Sequence, residues 1–171
     1  VVEGDRKVQL ILTREGTVWA GEVPIPVRLE KRIAVQAGTS QMVVRYRVAN
    51  LGDIPADLRF GVAFNWGIVG GDSRYGYLTV GSSRRGLGDF DGADEISDFS
   101  VGCTLPDLDG QVKVTLSRQT NLWHFPLEAV SNSEAGYERV YQGTCTLLWW
   151  AVPLEPHLPW NARLTLDLLD G

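Results

Sequence analysis

The chain has 171 residues, a net charge of −5, 44% apolar residues and 22% charged residues. This ordinary composition excludes whole-chain disorder, and the length fits one large domain that holds its core without disulfide staples. The basic residues are scattered and no apolar run approaches the roughly 20 residues that cross a bilayer, which excludes nucleic acid and membrane as partners. We expect a single domain over residues 1–171.

Apolar residues alternate with polar ones along most of the chain. Because successive strand side chains point to opposite faces, each such stripe predicts a strand with one buried face. The stripes are Val8/Leu10/Leu12, Val44/Tyr46/Val48, Leu58/Phe60/Val62/Phe64/Trp66, Val112/Val114/Leu116 and Ala162/Leu164/Leu166/Leu168. Turn-forming residues at 14–16, 36–39, 51–55 and 107–110 separate them. The pattern predicts an all-β sandwich or barrel of about ten to fourteen strands.

Two segments interrupt the alternation. Residues 67–92 are rich in Gly, Ser and Arg and predict a loop around one short strand at 75–80. Residues 91–99 are the best helical candidate, and we expect a turn or a single helical turn there. Residues 121–143 mix aromatic residues with dense polar ones, which predicts a long irregular loop. Loops held on rigid sheets are where binding commonly occurs.

No catalytic centre is evident in the sequence. His124 lies between two aromatic residues and predicts a core or edge histidine with its polar atoms satisfied, whereas His157 follows Pro156 and is expected to be exposed. The acidic residues between 89 and 98 do not have the spacing of a calcium loop. We expect no catalytic residue, no metal and no cofactor. Cys103 and Cys145 are expected to be free buried thiols, which leaves a bridge between them as the alternative.

Six tryptophans are unusual, because a tryptophan ring offers a broad plate on which a sugar can stack. Trp66 ends an apolar stripe and is expected in the core. Trp149 and Trp150 are adjacent and must face opposite ways in a regular strand. Trp149 shares its side with Cys145, Leu147 and Ala151, so Trp150 is the one expected at a surface or interface.

Two blocks of sequence resemble a known family. The first comprises LEKRIAVQAG at 29–38, VVRYRVANL at 43–51 and LRFGVAFNW at 58–66. The second and more specific block is LWHFPLEAVSNSEAGYERVYQG at 122–143. Both are similar to the C-terminal domain of α-amylases and 4-α-glucanotransferases of glycoside hydrolase family 57, over about residues 25 to 169.

The resemblance implies a large antiparallel β-sandwich like that of galactose mutarotase. It implies a parent enzyme that cuts and transfers α-1,4-glucans with retention, with its catalytic residues in an N-terminal barrel, and a chain that starts at Val1 without a Met agrees with an excised domain. The expected partners are that catalytic domain and α-glucan, in the cytoplasm. The candidate carbohydrate-binding or domain-interface residues are Trp123, Trp150, Glu128, Ser131, Ser133, Glu134, Glu138, Tyr141 and Gln142.

Two other functions remain open from the sequence. A free-standing mutarotase-like enzyme would need a carboxylate base and a histidine acid, for which His124 with Glu128 or Glu138 is the candidate set. An extracellular adhesion-type sandwich would be favoured by a Cys103–Cys145 bridge. The polar residues of 128–142 also have a purely structural interpretation, in which they hydrogen-bond a long loop to the sandwich.

Overall fold

The chain folds entirely into β-strands and turns within residues 2–4, 6–68, 75–105, 108–133 and 136–170, which are the residues that the computed structural model describes. The strands are β1 (Val2–Gly4), β2 (Lys7–Ala20), β3 (Val23–Gln36), β4 (Gln41–Asn50), β5 (Ala56–Trp66), β6 (Gly76–Val80), β7 (Ser83–Gly86), β8 (Asp91–Leu105), β9 (Leu108–Ser133), β10 (Gly136–Leu154) and β11 (Trp160–Asp170). Each strand pair whose register is described is antiparallel. The all-β antiparallel prediction is confirmed.

The strands pair in the order β1-β2-β3-β4-β11-β9-β8-β6-β7, and β10 pairs with β5 and β9. Contacts divide the chain into two compact units. Unit 1 comprises residues 1–60, 115–118 and 150–167, and unit 2 comprises residues 61–114, 119–149 and 168–171. The single domain expected over 1–171 stays a prediction. In the described ranges, no helix has the length and hydropathy to cross a membrane.

Unit 1 begins with a long hairpin in which β2 pairs with β3 without interruption, from Lys7 opposite Gln36 to Ala20 opposite Val23. The turn predicted at 14–16 is wrong, because Gly16 lies within β2 opposite Val27. The chain reverses instead after Ala20, where Gly21 takes a φ of 64° that a residue with a Cβ rarely adopts. The continuous pairing of two long strands therefore outweighs the turn preference of residues 14–16.

The core of unit 1 lies on one face of β4, where Val44, Tyr46 and Val48 are buried as predicted. Four aromatic rings extend this core in edge-to-face and stacked contacts: Tyr46, Phe60, Trp150 and Trp160. Burial raises the pKa of Tyr46 to about 12, because the phenolate would lose its hydration. The predicted stripe on β4 is thus confirmed as a core stripe.

The predicted stripe on β2 is not buried. Val8, Leu10 and Leu12 are 37–48% exposed, and Val35 opposite Val8 is exposed as well. Cross-strand register places these residues on the same face as the buried side chains of β4, because directly opposite residues share a face. The apolar face of unit 1 therefore continues past its core into an open aliphatic surface. We call Val8, Leu10, Leu12 and Val35 the β2 stripe.

In unit 2, two segments that were predicted to be loop or turn contain strands. Residues 91–99 belong to strand β8, and the segment from 67 to 92 holds β7 in addition to the short strand predicted at 75–80. The alternation in β8 is irregular because Glu95 has a φ of 54°, so its buried residues Ile96, Phe99 and Val101 do not fit one strand phase. The core of this unit contains Leu78, Leu87, Phe99, Val101, Leu122 and Leu148.

Candidate functional site

Trp123 lies on β9 with 47% of its surface exposed, where its ring meets Trp149 edge to face at 5.9 Å between centroids. The backbone of β8 approaches closely beneath it, because a Cβ added to Gly92 would lie 3.0 Å from the Trp123 ring. A larger residue at 92 would press on this ring and on the Leu122 carbonyl oxygen, 3.1 Å from the added Cβ. Gly92 and Trp149 thus cover part of the Trp123 ring and leave about half of it open.

Two phenylalanines extend this aromatic surface. Phe125 follows Trp123 by two residues and therefore shares its face of β9. Phe90 packs against Phe125 with 6.1 Å between ring centroids and is 78% exposed. We call Phe90, Trp123, Phe125 and Trp149 the Trp123 face. The i, i+2 spacing could have identified Phe125 from the sequence, whereas Phe90 precedes β8 outside any strand pattern.

Trp150 is not a surface residue, and its placement corrects the sequence prediction. It is 5% exposed, stacks on Phe60 at 6.1 Å and meets Trp160 edge to face at 5.6 Å. The buried side of β10 comprises Thr144, Thr146, Leu148, Trp150 and Val152, a mixed polar and apolar set from which Trp150 was expected at a surface or interface. The error arose because Thr144 and Thr146 suggested a polar face, although the structure buries both hydroxyls.

The polar candidates between 128 and 142 lie on a hairpin and not on an irregular loop. Strands β9 and β10 pair from Asn121 opposite Trp149 to Ser133 opposite Gly136, with a register shift between Tyr141 and Gly143. Glu128 lies opposite Tyr141, and Ser131 opposite Glu138. Because 128 and 131 have opposite parity in one strand, these two pairs point to opposite faces. The predicted set is therefore split between two surfaces.

The hairpin residues are mostly exposed. Glu128 pairs with Arg139, and the Gln142 side chain donates to the Val140 carbonyl at 3.4 Å. Ser133 ends β9 with its backbone paired to Gly136, and Glu134 lies outside the described residues. An exposed ion pair of this kind contributes little to stability. The candidate residues Glu128, Ser131, Glu138 and Gln142 thus form solvent-facing strand surface.

Tyr141 has a structural partner inside unit 2. Its Oη lies 2.7 Å from Thr144 Oγ1, and that hydroxyl lies 2.6 Å from the Leu87 carbonyl oxygen. A carbonyl only accepts, so Thr144 donates to Leu87 and Tyr141 donates to Thr144. Burial raises the pKa of Tyr141, and the bond to Thr144 acts in the opposite direction. Half-buried Trp66 donates in the same manner to Thr146 Oγ1 at 2.9 Å.

His124 is fully buried on the inner side of β9, which confirms a core position but not the expected polar satisfaction. Neither ring nitrogen makes a hydrogen bond of good geometry to a described residue. Burial lowers the pKa of His124, and the Arg85 guanidinium lowers it further, against opposing effects of Asp91, Asp89 and the Gly86 backbone. The side chain is therefore neutral at pH 7. Glu128 lies four strand positions away, about 13 Å along β9.

The two cysteines and the acidic side chains of the described residues do not form a metal-binding cluster. Cys103 and Cys145 are free and buried, and burial raises the pKa of the Cys145 thiol. No group of three His, Cys, Asp or Glu side chains comes together as a metal site in the part of the chain that the structure describes. The exposed aromatic rings of the Trp123 face are thus the main chemical feature of unit 2.

Comparison with protein families matches residues 3–164 to the family described as Alpha-amylase/4-alpha-glucanotransferase, C-terminal. The chain is 32% identical over 153 residues to a 4-alpha-glucanotransferase of Thermococcus litoralis, covering 89% of this chain and 19% of that protein. It is 26% identical over 121 residues to Alpha-amylase 1 of Dictyoglomus thermophilum, covering 71% of this chain and 17% of that protein. The chain therefore spans less than a fifth of the length of these relatives.

Solved structures show the same fold. The crystal structure of the Thermococcus litoralis 4-alpha-glucanotransferase matches with a TM-score of 0.65 at 23% identity, over 93% of this chain and 21% of that one. A putative aldose 1-epimerase from Escherichia coli K12 matches with 0.68 at 11% identity, over 100% and 68%. A galactose mutarotase related enzyme from Lactobacillus acidophilus matches with 0.53 at 13%, over 98% and 69%. The expected similarity to galactose mutarotase in fold is confirmed.

Proposed function

Because this chain belongs to the α-amylase/4-α-glucanotransferase C-terminal family, we propose that it is a non-catalytic accessory domain of an enzyme that acts on α-1,4-linked glucans. In this proposal it packs on the catalytic domain of its own polypeptide and contacts α-glucan. The observation that supports a binding role is the Trp123 face, an open aromatic surface held by the strands around it. Aromatic plates of this kind suit the apolar faces of sugar rings.

The β2 stripe is the surface that we assign to domain packing. Exposed aliphatic side chains on a continuation of a core face are typical of a protein interface. The same face also contains an apolar groove of about 230 Å³, lined by Val18, Val27, Leu29, Val48, Leu58, Arg59, Phe60 and Val152. A groove beside an aliphatic stripe offers a seat for apolar side chains of a second domain. Aliphatic residues do not stack on sugars, so the two surfaces have different occupants.

Catalysis by this chain as a mutarotase is disfavoured by the position of His124. The histidine is closed to solvent, and about 13 Å of strand separates it from Glu128, while Glu138 points to the other face of the hairpin. A general acid and base must both lie within hydrogen-bond reach of the substrate. The cytoplasm is the compartment that we propose, supported by two thiols that are free.

Activity assays test the non-catalytic part of this proposal. The purified 171-residue chain should neither cleave nor disproportionate maltoheptaose, and it should not accelerate the mutarotation of α-glucose followed by polarimetry. Mutarotation above the buffer rate that His124→Leu abolishes would instead establish the enzyme alternative.

Complex formation tests the packing part. The chain should bind the separately produced remainder of its polypeptide, and Leu10→Asp/Leu12→Asp should weaken that complex at least tenfold, because both charges would be buried unpaired at the interface. The matched control is Gln9→Asp/Thr13→Asp, whose side chains lie on the other face of β2. Equal weakening by both pairs would contradict the assignment of the β2 stripe.

A further inference from the structure

Six side chains form a regular array on the face of β3, β4 and β11 that points away from the core of unit 1. Strand register places Arg32, Arg45 and Arg163 directly opposite one another in one row. It places Glu30, Arg47 and Asn161 in the next row, two residues along each strand. Together with Ser117 they line a groove of about 430 Å³. We call this the arginine groove.

The four arginine side chains of the groove repel one another in the isolated chain. Arg32 is paired with Glu30 at 2.7 Å, whereas Arg45, Arg47 and Arg163 have no side-chain ion pair or hydrogen bond within the described residues. Like charges directly opposite in a sheet are destabilising. One Glu30 cannot neutralise four guanidinium groups, so the groove holds a net positive charge near +3. A negatively charged occupant would remove this repulsion.

The groove is exceptional within an acidic chain. Unit 1 contains 11 basic and 9 acidic residues, whereas unit 2 contains 5 basic and 12 acidic ones. A long polyanion such as nucleic acid requires a continuous basic track, and the acidic remainder of the chain would repel it. The positive charge of the arginine groove therefore favours a small anionic surface over a long polyanion. The groove crosses three neighbouring strands, a distance of about 10 Å, which sets the size of that surface.

One apolar side chain borders the array on the same face of β2. Ile11 lies opposite Arg32 and is 39% exposed. Arginine is enriched at protein interfaces relative to the rest of the surface, and an exposed aliphatic side chain beside it suits the same kind of contact. Strand β4 is paired on both sides, so its backbone amides are not available to form an oxyanion shell around a single phosphate.

We propose that the arginine groove docks a partner polypeptide surface that presents three or more carboxylates. The planar guanidinium groups of Arg45, Arg47 and Arg163 bind these carboxylates in bidentate pairs, and Ile11 covers the apolar border of the contact. The arginine groove shares no residue with the Trp123 face or the β2 stripe, so this proposal can be tested independently of the proposed function.

Binding of a capped hexaglutamate peptide to the 171-residue chain, measured by calorimetry at 50 mM salt, tests the proposal. The peptide should bind, and Arg45→Gln/Arg163→Gln should weaken binding about tenfold, as expected for the loss of two exposed charge pairs. The matched control is Arg6→Gln/Arg14→Gln, which removes equal charge outside the groove and should leave binding unchanged. The groove variant should also melt no lower than the wild type, because it relieves repulsion.

Three outcomes would overturn the proposal. The first is no binding of the peptide at millimolar concentration, and the second is equal weakening by the groove variant and the control. The third is that pyrophosphate or a 20-nucleotide single-stranded oligonucleotide binds more tightly than the peptide. That result would assign the groove to a phosphate ligand.

Discussion

At the scale of single residues, His124 makes the stability of the fold depend on pH. Its pKa in the folded chain lies below the ordinary value of 6.5 that it has when unfolded. Between these two values the unfolded chain binds a proton that the folded chain does not bind. The free energy of unfolding should therefore fall as the pH decreases below about 6.5, by up to about 1.4 kcal/mol per pH unit.

Chemical denaturation at several pH values between 5 and 8 would measure this effect. His124→Leu, which fills the same apolar site, should flatten the dependence in that window. His157→Gln is the control variant, because it removes an exposed histidine and leaves the buried site of His124 unchanged. Wild type and His124→Leu with the same pH dependence would contradict a neutral buried His124.

Asn50 holds the turn at 51–55 from a fully buried position. Its Nδ2 donates to the carbonyls of Ile54 at 2.7 Å and Leu154 at 3.2 Å, and its Oδ1 accepts from the Gly52 amide at 2.9 Å. Asn50→Ala should lower the free energy of unfolding by about 2–4 kcal/mol, because buried backbone groups lose their partners. Urea denaturation measures the loss.

Asn50→Asp separates the donor role from the acceptor role of this side chain. A carboxylate still accepts from Gly52, but it cannot donate to the two carbonyls and it buries a charge beside them. Its destabilisation at pH 7 should equal or exceed that of Asn50→Ala. A nearly neutral Asn50→Asp would show that the two donated bonds contribute little.

At the scale of elements, the two tryptophan sites on β9 and β10 differ in burial. Trp150→Ala should cost about 3–5 kcal/mol of stability, because it removes a ring that stacks on Phe60 and meets Trp160 edge to face, and it leaves a cavity. Trp123→Ala should cost about 1 kcal/mol or less, since its ring is half exposed. Thermal and urea unfolding of the two variants compare these costs. Similar losses would contradict the face assignment of β10.

Gly143, at the register shift of the β9–β10 hairpin, packs closely against the backbone at the end of β5. A Cβ added to Gly143 would lie 2.6 Å from the Trp66 carbonyl oxygen, which is backbone and cannot move aside. Gly143→Ala should therefore destabilise the chain by about 1–3 kcal/mol. Gly16→Ala is the control, because nothing lies within 4 Å of its added Cβ, and it should stabilise β2 by about 0.5 kcal/mol. Melting temperatures that move in the same direction would contradict this reasoning.

The alternation of apolar and polar residues was a good predictor of strands that bury one face. The stripe of β4 was correct, and that of β11 was correct up to Leu166, because these side chains meet a filled core, whereas Leu168 is 59% exposed. The stripe of β5 was correct only in part, because Val62 is buried while its other members, including Trp66, are half-buried. The stripe of β2 was predicted as core but is exposed, because sequence periodicity does not reveal whether a second layer covers a strand. Strand β8 was missed because Glu95 interrupts the phase of its alternation.

At the scale of the whole molecule, the sequence block at 122–143 was specific enough to predict the family, which the match over residues 3–164 confirms. The candidate site was predicted only in part. The candidate Trp123 is a half-exposed ring, whereas Trp150 is core, and the polar residues divide between two faces of a hairpin. The arginine groove could not be predicted, because its residues are distant in sequence and only strand register brings them together.

The two units differ in the surface each one offers. Unit 1 has the aliphatic β2 stripe and the arginine groove, and unit 2 has the aromatic Trp123 face. The chain spans less than a fifth of the length of the relatives that it matches, which agrees with the proposal of an accessory domain that works through its surfaces. Sugar contact through the Trp123 face is the central claim of this account.

Titration of the chain with maltoheptaose, followed by tryptophan fluorescence, tests that claim most directly, with cellohexaose as the control sugar. The account predicts a saturable change for maltoheptaose alone, which Trp123→Ala abolishes and Trp19→Ala, on unit 1, leaves intact. No change up to millimolar maltoheptaose, or an equal response to cellohexaose, would contradict α-glucan contact at the Trp123 face.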